Sequence, residues 1–283
     1  MKFLVPTDFS ENSAKTIEYA ASLAQKVNAR VQLMHAWTSV PTTTELEAIS
    51  IGLGIEYLAE NSEEALKSAI KDFTPRYEVF EKPISVQGFP ALAIENISKK
   101  EKPDLVIMGS RGLGAMGSAV LGSISKQVFS QGVRPLLVVP KEAIPGQFDT
   151  IVFATDFHDS DAEHLAFLAN LIEPFGGMIH VVHFHDSEES DFVDDSYFER
   201  YKEDMKKKIR YARVSFHFEQ CDDLNDAMHE YVTEHNVSLV AMANVSRSFW
   251  QSIVDPSFTR KWLRDMPTPL MVFGAKDKAW EDF

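Results

Sequence analysis

Residues Asp104–Ser125 read DLVIMGSRGLGAMGSAVLGSIS, and the order of features in them decides the architecture. Leu105–Met108 is an unbroken apolar run of the kind a strand covered on both faces requires. A glycine-rich loop follows at once. From Gly122-Ser123 onward, Ile124–Gln131 mixes polar and apolar residues at helical spacing. Strand, glycine loop and helix start make a cradle for an anion. Main-chain N–H groups near Gly109 and Gly112 can approach a phosphate because no Cβ stands in the way. The free N–H groups of a helix beginning near Gly122 carry partial positive charge and can face the same anion. The stretch therefore predicts an α/β protein whose loop binds the phosphates of a nucleotide.

Outward from this stretch, the chain repeats itself. FLVPTDFS, Phe3–Ser10, returns as IVFATDFH, Ile151–His158, at an offset of 148 residues, and the match runs without a gap to His35 against His183. Seven positions are identical there: Thr7, Asp8, Phe9, Ala14, Ala21, Leu23 and His35. A second window aligns Asp104–Val139 with Ser238–Phe273 at offset 134. Leu105, Val106, Met108, Ser123, Pro135, Leu136 and Val138 are among the residues with identical partners in it. Two ungapped windows, one near each end of both halves, identify a tandem duplication. The expected units are residues 1–140 and 149–275, joined by a linker, Lys141–Phe148, that contains Pro145-Gly146.

Each unit alternates strand and helix. Strands are predicted at 2–6, 30–36, 77–86, 104–108 and 135–139, with helices at 11–27, 43–72, 90–100 and 119–131. The second unit repeats the scheme, with strands at 150–154, 178–184, 212–219, 238–242 and 269–273. Its charged helix over 195–210 presents a solvated lysine face. Strands separated by helices imply a parallel sheet with right-handed crossovers. Ligands in such sheets sit at the carboxyl ends of the strands, where strand order reverses. Asp8, just after the first strand, and the glycine loop after the fourth both fall on that rim.

Composition narrows the partners. The formal net charge is −14, which disfavours general binding to nucleic acid or anionic membranes. No apolar window is long enough to span a bilayer, and Met1-Lys2 leads straight into the first strand, leaving no room for a signal peptide. The single cysteine, Cys221, cannot form an internal disulfide and is expected to be a buried small hydrophobe. A cytoplasmic location fits all of this.

Two familiar glycine motifs fail here. GLGAMG, Gly112–Gly117, matches the dinucleotide fingerprint, but it follows the fourth predicted strand and no acidic residue stands near Val133-Arg134 for a ribose. A Walker loop is excluded because no Gly-Lys-Ser or Gly-Lys-Thr occurs. A different spacing fits: Gly109, two residues, Gly112, nine residues, Gly122-Ser123. In this the chain resembles a tandem universal stress protein, whose domains carry G-x2-G-x9-G-[S/T] after strand four as their ATP-binding signature. The opening Val5-Pro6-Thr7-Asp8-Phe9-Ser10, the Gly88–Pro90 turn and the closing Pro135–Pro140 strand extend the resemblance over nearly the whole chain in two copies.

The resemblance implies two tandem Rossmann-like domains of the adenine nucleotide alpha hydrolase-like type. Each would have a five-stranded parallel sheet of order 3-2-1-4-5 flanked by helices. It also implies a pseudo-dimer within the chain, made through the last strands, and admits a further homodimer. In the first copy, Asp8 matches the acidic residue near the adenosine end of the ligand, with Pro6 and Thr7 beside it. Val40 falls at the adenine. Met108, Gly109, Arg111 and Gly112 line the ribose and phosphates, and Gly122, Ser123 and Ser125 hold phosphate oxygens. ATP, with or without Mg2+, is the implied ligand.

The second copy loses every glycine of that signature: Ala243, Ser246 and Pro256 replace Gly109, Gly112 and Gly122. Phe249, Trp250 and Asp255 add bulk and negative charge where phosphate would sit, so this copy is expected not to bind ATP. His158, His183 and His185, with Asp159, Asp161 and His164 nearby, are an alternative zinc constellation there. The expected function is an ATP-binding regulatory protein of the stress response, acting on an unidentified protein partner. The alternatives are slow ATP hydrolysis or autophosphorylation with Asp8 holding Mg2+, or a metal or other non-nucleotide ligand in the second copy. No catalytic set is visible around the loop.

Overall fold

Ten strands form one sheet in this computed structural model, which describes residues 1–38, 45–110, 124, 125, 127, 128, 132, 134–186, 195–243 and 268–274. In the first unit β1 (Lys2–Pro6), β2 (Arg30–Trp37), β3 (Ile84–Gln87), β4 (Leu105–Gly109) and β5 (Leu136–Val139) are all parallel. They are connected by α1 (Glu11–Lys26), α2 (Glu45–Phe73) and α3 (Pro90–Glu101). The second unit repeats them as β6 (Thr150–Ala154), β7 (Met178–Asp186), β8 (Val214–Cys221), β9 (Leu239–Ala243) and β10 (Leu270–Phe273). Its helices are α4 (Asp161–Ile172), α5 (Asp195–Lys208) and α6 (Leu224–Glu234). The spatial order is β3-β2-β1-β4-β5-β10-β9-β6-β7-β8. Each unit therefore has the order 3-2-1-4-5, and the two meet at their last strands.

That meeting is the sheet's single antiparallel pairing among the described strands, with Leu270 opposite Val138, Met271 opposite Leu137 and Val272 opposite Leu136. All these side chains are buried, which is why β5 and β10 read as unbroken apolar runs. The pairing also puts like faces together. Leu137 and Met271 join the core under α1, α2, α4 and α5, whereas Leu136, Val138, Leu270 and Val272 join the core under α3 and α6. Both cores thus run across the seam. Phe148, the last residue of the expected linker, is buried between the units, 6.1 Å from the Tyr19 ring and 4.8 Å from that of Phe175.

Local chemistry sets the helix ends. Ser10 caps α1 by accepting the Ser13 N–H, and Glu11 and Lys26 complement its dipole. Pro90 opens α3, and Lys102 closes it in the left-handed region. Asp223 caps α6 through the N–H groups of Asn225 and Asp226.

Two expectations need adjusting. The strand expected over 77–86 begins only at Ile84, with Phe80 making an isolated bridge to Val31. Pro83, which has no N–H, separates the two. Cys221 ends the edge strand β8 half-buried rather than in the core. Of the helix expected over 119–131, only Ile124, Ser125, Gln127 and Val128 lie among the described residues, and these are helical.

Candidate functional site

Strand order reverses between β1 and β4, so the crevice of this sheet opens where Thr7-Asp8 and Gly109-Ser110 leave it. The turn after β1 is tightly specified. The Thr7 N–H donates to the Met34 carbonyl at 2.8 Å, and its Oγ1 accepts the Phe9 N–H at 3.1 Å. His35 Nδ1 lies 2.8 Å from the Thr7 carbonyl. A carbonyl only accepts, so Nδ1 carries the proton. Phe9 takes φ of +60° and lays its ring 4.5 Å from that of His35. A non-glycine residue held there marks a turn that its surroundings over-determine.

This turn aims Asp8. Its Oδ1 accepts the Ser10 N–H at 3.1 Å and the Ser13 hydroxyl, while the Asp8 N–H reaches Ser13 Oγ at 3.3 Å. The carboxylate therefore sits at the N-terminus of α1, half-exposed, on the rim of the crevice.

Across the crevice β4 ends at Gly109, opposite Val139 of β5. The Met108 side chain is buried in the core beneath α3, so its contribution at the rim is main-chain. The Ser110 N–H donates to the Val139 carbonyl at 3.0 Å and is not available to a phosphate. Ser125 is buried and helical, and Pro6 closes β1 directly before Thr7. Val40, Arg111, Gly112, Gly122 and Ser123 lie outside the described residues, as do Phe249, Trp250 and Asp255 of the second copy. Sequence reasoning missed Phe9, Ser13 and His35. The signal was present, because Phe9 and His35 are two of the seven identities in the first window.

The second copy keeps the turn and changes its anchor. Thr155 bonds to the Val182 carbonyl, accepts the Phe157 N–H at 2.8 Å and meets His183 Nδ1 with its carbonyl at 2.7 Å. Phe157 repeats the positive φ, at +59°. Ser13 and Thr16, however, are replaced by Asp161 and His164, both buried. Asp161 Oδ2 accepts from the Thr155 hydroxyl, from Tyr201 Oη at 2.8 Å and from the His158 N–H at 3.1 Å. Burial pushes this carboxyl above its ordinary range, and those donors partly offset the rise. His164 stacks on Phe273 at 4.4 Å, and burial pushes its pKa down to about 3, so the imidazole is neutral. Asp156, the counterpart of Asp8, is turned toward His183 at 3.9 Å instead of toward a hydroxyl.

The histidines do not gather around a point. His183 and His185 share a face, as their spacing predicts, but both stack on Phe218, at 5.5 and 4.1 Å. His158 Nδ1 pairs with Ser160 Oγ at 2.9 Å. Among the described residues no three His, Cys, Asp or Glu side chains converge to hold a metal ion. Nor is any described helix long and apolar enough to cross a membrane.

Comparison with known proteins agrees with this geometry. The family description "universal stress protein family" matches residues 1–140 and again 147–274. A universal stress protein of Thermus aquaticus is 34% identical over 145 residues, spanning 48% of this chain and 96% of its own length. One from Methanocaldococcus jannaschii is 30% identical over 145 residues, spanning 50% of this chain and 82% of its own. The crystal structure of a universal stress protein from Archaeoglobus fulgidus superposes with a TM-score of 0.67 at 21% identity, covering 96% of this chain and 98% of that one. At that identity the likeness speaks to the fold.

Proposed function

The chain belongs to the universal stress protein family, and from that premise we propose that its first unit, residues 1–140, binds ATP while the second, residues 149–275, does not. One observation carries the reading. The spacing Gly109, Gly112, Gly122-Ser123 is complete in the first copy and lost at every glycine in the second. Both copies keep the turn after their first strand. The scaffold is therefore duplicated whole, and the anion cradle is the part that differs.

In this reading Asp8, Thr7 and Pro6 meet the adenosine end, with Val40 near the adenine. The main chain from Met108 to Gly112, with Arg111, follows the ribose and phosphates, and Gly122, Ser123 and Ser125 complete the phosphate contacts. The described residues fit such a ligand: a carboxylate held at a helix N-terminus faces, across the crevice, a strand ending in glycine. Mg2+ bound with the phosphates would neutralise their charge. Occupancy would alter the surface offered to a protein partner in the stress response. This is a role of binding and requires no turnover. Equilibrium dialysis against ATP tests it: the intact protein takes up one equivalent and Gly122→Val none. Equal uptake by both overturns this reading of the loop.

A further inference from the structure

A second, separate site lies at the opposite edge of the sheet. From Met205 to Phe218 the chain contains no Asp or Glu, yet five of its 28 lysines and arginines fall between 206 and 213. On a protein of net charge −14 this is a local reversal of sign. The stretch spans the end of α5, a five-residue connection and the start of β8, so it lies at the amino ends of the strands, away from the crevice. A cavity of about 350 Å³ opens there, lined by Lys206, Ile209, Arg210, Tyr211, Val214 and Phe216 among others. That volume is at the small end of the range for ligand pockets, roughly 300–1,000 Å³.

Two of the five cations are already engaged. Lys208 pairs with Asp204 at 2.7 Å, and Arg213 donates to the Gly176 carbonyl. Among the described residues Lys206, Lys207 and Arg210 enter no ion pair, and Lys206 Nζ stands 5.9 Å from the centre of the Phe216 ring. The dipole of α5 favours cations in its last turn, but Arg210 lies beyond the helix. The first unit shows what the fold alone requires at this place. α2 ends with one lysine, Lys71, and the arginine that follows, Arg76, is neutralised by Glu18 and lies over Phe73 and Tyr77. Neither dipole nor fold accounts for the surplus charge in the second unit.

We propose that this cavity binds a small aromatic anion, its flat apolar body against Val214 and Phe216 and its phosphate or carboxylate between Lys206 and Arg210. Apolar walls supply contact area, and two lining cations outside any ion pair among the described residues supply orientation and charge. The second unit then has a ligand site of its own that owes nothing to the nucleotide loop.

Phenyl phosphate is the probe, titrated into the full-length protein and followed by backbone amide shifts. Saturable shifts at Tyr211, Ala212 and Val214 are expected, with inorganic phosphate and benzyl alcohol each binding more weakly than the molecule that joins them. The Lys206→Ala/Arg210→Ala variant should bind about tenfold more weakly, as loss of two exposed charge contacts implies. Lys207→Ala should bind like the parent, and Phe216→Leu should lose affinity for phenyl phosphate but not for inorganic phosphate. Thermal melts confirm that each variant folds. Shifts confined to the crevice, or equal affinity in the double variant, overturn the proposal. So does the absence of saturable shifts at those three amides.

Discussion

Ser13 aims the Asp8 carboxylate, and removing its hydroxyl tests whether aim matters. Its side chain joins the helix cap to Asp8, so Ser13→Ala should leave the protein folded and weaken ATP binding roughly fivefold, the worth of one ordinary hydrogen bond. Unchanged affinity, measured by dialysis, would mean that Asp8 is held without it. The identities Thr7, Asp8, Phe9 and His35 already marked this turn in the sequence, because both copies hold the same strained φ beside the same histidine-to-threonine-carbonyl contact. Asp161 entered the sequence reading only as a neighbour in the alternative zinc constellation, and its place in the turn was not foreseen. Nothing local reveals that Tyr201, 40 residues on, brings a hydroxyl to it. A pH effect belongs at this scale too. His180, stacked on His217 and hydrogen-bonded to Tyr231, has its pKa pushed down to about 4 by burial and by His217 and His235. Its folded pKa lies below its unfolded one, so the unfolded chain takes up more protons, and stability falls as pH drops from about 6.5 toward 4. Asp161, whose pKa is raised, acts in the opposite sense, favouring the fold at low pH. His180→Gln should therefore lose less Tm between pH 7 and pH 5 than the parent, and an equal loss would assign the effect elsewhere.

Among the elements, the seam between β5 and β10 carries the most. A Cβ added at Gly274, directly after β10, would stand 2.4 Å from the Cα of Gly132, main chain that cannot swing aside. Gly274→Ala should lower stability by about 1–3 kcal/mol, readable in urea titrations. A variant as stable as the parent would show that the two segments separate freely. Strand pairing here was foreseen through the family resemblance, whereas its register came only with the structure, since four-residue apolar runs pair equally well in several offsets. β3 was placed too early for a related reason. Tyr77–Pro83 looks extended, but extended backbone becomes a strand only where a neighbour pairs with it along a run, and here a single bridge forms, Phe80 to Val31. α5 shows the opposite case: its lysine face was legible as solvated, and Phe198, Tyr201 and Met205 on the other side are buried, as helical spacing requires.

For the molecule as a whole, one sheet and two cores run through both units, with Phe148 packed between them. Calorimetry should accordingly show a single unfolding transition, and two resolved peaks would mean that the seam is not cooperative. In the proposed reading function divides where the fold does not. Duplication copied the sheet, the turn and the rim, and the second copy then exchanged a hydroxyl anchor for a buried carboxylate and glycines for larger residues. The central claim is that nucleotide binding stayed with the first copy alone. Counting ATP bound by Asp8→Ala and Asp156→Ala chains tests it most directly. The claim predicts that Asp8→Ala loses the one bound equivalent and Asp156→Ala keeps it. Two equivalents on the parent, or loss of binding through Asp156→Ala with Asp8→Ala unaffected, would contradict it.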